Sequence, residues 1–219
     1  MRHIPSSWRL SLAACAALLL VSFGRPADAS FIAYVIPAGT SGNQTHGGAL
    51  GMEFDLNKQI IVTRLGVFDS GSNGLAVPIS VRLYDRTNTT TPLATLSFTP
   101  ADAGTLIGGS RFKDLPTPLS LMPGFQGTIV ADGYGATEPN GNSFLGVPVW
   151  TTDSGGGVIS FVGLSRWDGA AGVYPNNLDG GPANRYAAGT FEANLPEPAT
   201  LTVLALGGLA AFLRRRRGR

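Results

Sequence analysis

Cysteine is almost absent from this chain: one residue, Cys15, in 219. That excludes a disulfide scaffold. Cys15 falls inside an N-terminal apolar run that reads as a removable leader, so the mature chain is expected to hold no thiol for redox, metal-thiolate or nucleophilic chemistry. Histidine is as scarce, with only His3 and His46, too few for a metal site built on imidazoles. Charged residues make up 14% of the chain, against roughly 25% in an ordinary soluble domain. Half of the sixteen Lys and Arg residues lie before residue 30 or in the last six positions, leaving residues 30–195 with eight basic and twelve acidic side chains, net −4. A nucleic-acid binder carries its positive charge on the folded part, so that partner class is excluded. Long apolar runs are missing too. The longest, of 14 and 15 residues, fall short of the ~20 that span a bilayer comfortably.

What is present begins at the two ends. Arg2, His3 and Arg9 precede the apolar run Leu10 to Phe23, and Ala27-Asp28-Ala29 follows with the small-x-small pattern that signal peptidase reads. Residues 1–29 are therefore expected to form a signal helix removed after Ala29, leaving Ser30 first, with a permanent anchor as the alternative. Leu12-Ala13-Ala14-Cys15 mimics a lipoprotein box, but the apolar run continues past Cys15 where it would have to stop.

The other end has three parts in order: Pro196-Glu197-Pro198, the apolar stretch Ala199 to Leu213, and Arg214-Arg215-Arg216-Arg217-Gly218-Arg219. Two prolines around one residue remove two backbone donors and hold the chain extended, so neither the preceding strand nor a following helix runs through them. Residues 199–213 as a helix would reach ~22 Å, a short transmembrane segment, with Arg214 to Arg217 as a cytoplasmic stop that leaves the body of the protein outside. This arrangement resembles the PEP-CTERM sorting signal of Gram-negative bacteria, also catalogued as the C-terminal domain of ice-binding proteins. The resemblance implies an exosortase-type processing enzyme acting at or near Pro196-Glu197-Pro198, and an exopolysaccharide-producing, biofilm-forming cell. It also implies a membrane-anchored precursor and a mature protein at the surface or in the extracellular matrix. An unprocessed tail anchor is the alternative.

Between residues 30 and 195 no 3.6-residue period is sustained, and short alternating runs recur between Gly, Pro, Asn and Asp. In Leu50-Gly51-Met52-Glu53-Phe54-Asp55-Leu56 the apolar residues share one face and the two acids the other, where they read as solvated charges. Phe31–Ile36, Ile60–Phe68, Pro78–Asp85, Leu93–Phe98, Arg111–Leu115, Gly127–Gly133, Val158–Leu164 and Ala188–Ala193 extend the series to about nine strands. The expected fold is all-β, an antiparallel sandwich of jelly-roll type over residues 30–195, followed by the sorting segment 196–219. Pro123-Gly124 reads as a type II turn that would bring Leu119–Leu121 back against Thr128–Ala131, and 165–187 as a long loop or flap. The block Gly47 to Gly135 also looks like β-sandwich modules found ahead of PEP-CTERM tails, through Phe68-Asp69-Ser70-Gly71, Val81-Arg82-Leu83-Tyr84-Asp85 and Leu121-Met122-Pro123-Gly124-Phe125. No activity is carried over from those modules.

Catalytic patterns fail one by one. His46 has no G-x-S-x-G partner, Gly133-Tyr134-Gly135 breaks the dinucleotide fingerprint, and no phosphate loop exists. The twelve acids select no carboxylate pair, so a non-enzymatic role is expected, with an envelope glycoside hydrolase or other carboxylate-based hydrolase as the alternative. Asp69-Ser70-Gly71-Ser72-Asn73-Gly74 opens like a calcium loop with donors at Asp69 and Asn73, but has Gly71 at position three and Ser80 at position twelve. Ca²⁺ held there and a self-capping turn both remain open, and no other cofactor is expected. Trp150, Trp167, Tyr174 and Tyr186, interleaved with Asp168, Asn176, Asn177, Asp179, Asn184 and Arg185, have the composition of a sugar-stacking surface; core aromatics at a sandwich end are the alternative. The expectation is a structural or adhesive exported protein with weak carbohydrate binding.

Overall fold

The computed structural model describes residues 30–145 and 150–196. Among these residues the strands, in chain order, are β1 Ser30–Ile32, β2 Tyr34–Val35, β3 Leu50–Leu56, β4 Ile60–Phe68, β5 Ile79–Asp85, β6 Ala94–Phe98, β7 Thr105–Ile107, β8 Ser110–Leu121, β9 Gln126–Asp132, β10 Gly141–Asn142, β11 Thr151–Thr152, β12 Ile159–Trp167, β13 Asn177–Asp179, β14 Tyr186–Ala187 and β15 Gly189–Asn194. No helix among them is long and apolar enough to cross a membrane. The signal segment with Ala27 and Ala29, the motif residues Glu197 and Pro198, the apolar run 199–213 and Arg214, Arg215, Arg216 and Arg217 lie outside the described residues.

Two antiparallel sheets form the sandwich. One has the order β1-β15-β4-β8-β7, the other β13-β12-β3-β9-β5-β6, and two short ribbons, β10-β14 and β2-β11, accompany them. β4 pairs with β8 while β3, which precedes β4, pairs with β9, which follows β8. The chain thus crosses between sheets as two nested ribbons, the jelly-roll-like wrapping. Alternation supplies the core: Leu50, Met52, Phe54 and Leu56 from β3 meet Leu65 and Val67 from β4 and Phe191 from β15, all buried. Phe54 and Phe191 join the sheets ring to ring at 4.9 Å.

Three expectations are corrected. The Pro123-Gly124 turn forms, with Gly124 at φ 84 and Phe125 N–H donating to the Met122 carbonyl (3.2 Å), yet it does not make a hairpin. β8 and β9 lie in opposite sheets, so the turn carries the chain across the sandwich edge. Residues 165–187 are not one flap, because they contain the end of β12 together with β13 and β14. Glu53 is not solvated: it is 1% exposed, because chain from another part of the fold covers the outer face of β3.

Candidate functional site

That cover is the segment 168–176. It leaves β12 after Trp167 and is laid on the six-stranded sheet by Asp168 N–H to the Ala49 carbonyl (2.9 Å), Ala49 N–H to the Ala170 carbonyl (3.1 Å) and Gly172 N–H to the Asp132 carboxylate (3.1 Å). Tyr174 packs edge-on against Tyr84 at 5.3 Å, joining Ala49 and Val130 in a second small apolar cluster, and its hydroxyl meets that of Thr128 at 3.2 Å. Gly51 makes room for Pro175, whose Cγ would lie 2.9 Å from any Cβ built there. Beneath the segment Glu53 faces the guanidinium groups of Arg166 and Arg86, and Asp132 faces Arg82. A carboxylate taken out of water needs such partners, so this strip is a paired polar layer.

The four aromatics singled out by composition do not share one surface. Trp150 is buried, with its indole N–H donating to the Asn184 carbonyl (2.8 Å), and beside it lies a depression of about 570 Å³ bordered by Ser143, Thr152 and Asn184. Tyr174 is sealed under its own segment. Tyr186 is buried and donates its hydroxyl to Asp179. Burial, followed by that hydrogen bond, raises the pKa of the Tyr186 phenol well above its ordinary value. Trp167 alone of the four is exposed, at 40%.

Trp167 and Tyr186 nevertheless border one cleft of about 200 Å³ at an end of the sandwich, with Leu50 at its base. Cross-strand pairing sets Trp167 opposite Leu50. Arg185 and Tyr186 come from the β14 region, and Asp179 from the edge strand β13. Asp179 accepts from Arg185 through one oxygen and from Tyr186 through the other, while Arg185 Nε–H donates to Asn142 Oδ1 (2.9 Å). His46, which local sequence reads as a Gly-flanked loop residue, also borders the cleft. Its Nε2–H donates to the Asp168 carbonyl (2.9 Å), and its ring meets that of Trp167 edge to face at 6.2 Å. Gln44 arrives through a lone bridge to Asn140 and accepts from the Asn140 amide (2.8 Å). No sequence pattern marks Gln44, because tertiary pairing alone brings it there.

The loop considered for calcium is organised by other means. Asp69 is buried; its carboxylate accepts from Arg111 Nε–H (2.6 Å), Asn73 N–H (3.2 Å) and Gly74 N–H (3.1 Å). A guanidinium thus holds one oxygen of this carboxylate, and Asn73 contributes its backbone amide to the turn. Glu138, buried alongside, accepts from Ser70 N–H (2.7 Å) and Ala76 N–H (2.8 Å). Burial raises its pKa above its ordinary value, against the pull of those two amides.

At the opposite end of the domain Ser30 pairs with Asn194, so the first described residue lies beside the strand that leads into Pro196. No curated protein matches the chain. The model of the PEP-CTERM protein-sorting motif matches residues 194–217, beginning at the last residue of β15. The chain therefore carries a PEP-CTERM motif, the sorting signal of an exported bacterial protein that is held at the membrane as a precursor and processed by an exosortase.

Proposed function

We propose that this is a non-enzymatic structural or adhesive protein of the surface or extracellular matrix of an exopolysaccharide-producing Gram-negative bacterium, and that it binds carbohydrate weakly at the Trp167 cleft. The observation that carries the reading is an exposed indole standing at the rim of a cleft edged by polar groups. Sugar rings stack their apolar faces on such aromatics, while amides and carboxylates take their hydroxyls. The non-enzymatic part is supported by how the acids are paired: the buried Glu53, Asp69 and Asp132 and the partly buried Asp179 each face a guanidinium, which occupies the carboxylate. Glu138 accepts from two backbone amides. Signal peptidase acting after Ala29 belongs to the same reading.

The test is co-sedimentation of the exported protein with polysaccharide isolated from its producer. Saturable binding is expected, reduced at least tenfold in Trp167→Ala. Binding that survives this substitution, or no binding at all, would remove the carbohydrate role.

A further inference from the structure

We propose that the Trp167 cleft accepts one uncharged sugar ring at a time, and that Asp179 sets this preference by holding Arg185. The inference rests on the carbohydrate reading and names the class of saccharide. A cleft of about 200 Å³ is smaller than the ~300–1,000 Å³ cavities that enclose drug-sized ligands, so it has room for a single ring.

Charge decides the class. Arg185 is the guanidinium bordering the cleft, and it is held on two sides, Nη1 on Asp179 and Nε on Asn142, with its central carbon over the rings of Phe144 (4.8 Å) and Tyr186 (5.5 Å). His46 faces the cleft with its Nε2–H already given to Asp168. Asp179 and Arg185 together are electrically neutral. A uronate or another acidic sugar would find the charge of Arg185 already matched by Asp179, and its own charge would stand against that carboxylate. Desolvating an unmatched charge costs far more than desolvating hydroxyls. A neutral sugar can donate its hydroxyls to lone pairs that Asp179 retains, since a carboxylate has about four acceptor sites, while its apolar face lies on Trp167.

The test titrates the exported protein, followed by NMR, with methyl glucoside, methyl galactoside and methyl mannoside, and with the sodium salts of glucuronate and galacturonate. Millimolar affinity for at least one neutral glycoside is expected, with the uronate of the same configuration at least tenfold weaker. In Asp179→Asn, which keeps an acceptor for Tyr186 but releases Arg185, uronate binding is expected to improve at least fivefold, and 0.5 M salt should shrink that gain through screening. A uronate that binds wild-type protein as well as its neutral counterpart would overturn the inference, and this comparison needs no variant to fold. An unchanged preference in Asp179→Asn with native thermal stability would overturn the role of Asp179. If polysaccharide co-sediments in a Trp167-dependent way but no single sugar binds, the one-ring inference fails while the adhesive reading stands. If neither binds, both fail.

Discussion

Glu53 and Glu138 show what a single position does and does not reveal. Strand alternation assigns Glu53 correctly to the outer face of β3, but burial depends on what that face meets, and Tyr174 comes from a segment that alternation cannot dock. Glu138 has no local pattern at all, yet it anchors Ser70 and Ala76 from across the chain. Its raised pKa has a consequence for stability. The folded state holds this proton to higher pH than the unfolded chain, whose Glu titrates near ~4.3. The contribution is therefore fully present below that value and is lost as pH rises through the folded-state pKa. Thermal melts of wild type and Glu138→Gln across pH 4 to 7 should show the difference: wild type loses stability relative to the variant as pH rises, and parallel curves would contradict the assignment.

At the scale of elements, Leu50–Leu56 and Ile60–Phe68 were legible to the residue, because period-two alternation bounded by turn residues is what a half-buried strand requires. β8 was not. Its expected end at Leu115 respects Pro116 and Pro118, but the strand continues to Leu121. β7 pairs only as far as Phe112, so the later part of β8 has β4 as its one partner, and the register shift opposite Thr63 lets the prolines pass where no ladder donor is needed. The aromatic-rich stretch was legible as a place of interest through its composition. The sorting of its side chains into core and cleft was not, since that depends on Gln44, His46 and Asn140 arriving from elsewhere. The segment 168–176 offers a direct check. In Gly51→Ala the new methyl must displace Pro175 and Thr128 from 2.9 and 3.0 Å. Overpacking of that kind costs about 1–3 kcal/mol, and amide exchange at Ala170 and Gly172 is expected to accelerate more than in β4. Unchanged exchange would mean that the segment does not depend on this fit.

For the whole molecule the sorting motif at residues 194–217 was the most legible part, because an address must be written in contiguous sequence for a processing enzyme to read it, whereas a cleft need not be. The matched motif begins at Asn194, the last paired residue of the domain. Protein recovered from the producer's surface is expected to have lost both Met1–Ala29 and the residues beyond the Pro196-Glu197-Pro198 region, which intact mass would show. A mature form retaining Ala199 to Arg219 would contradict processing.

The pairing of β15 with β1 on one side and β4 on the other also has a mechanical meaning. Tension entering at Asn194 runs along the axis of β15, a strand of about 17 Å at ~3.4 Å per residue, and both neighbouring ladders must slide together before either gives way. A pull across the strand would instead open those bonds one after another. Tyr186 leads into the far, Gly189 end of the same strand, so a ligand gripped in the cleft and a chain held beyond Asn194 would stretch the domain lengthwise, the direction in which its hydrogen bonds share the load.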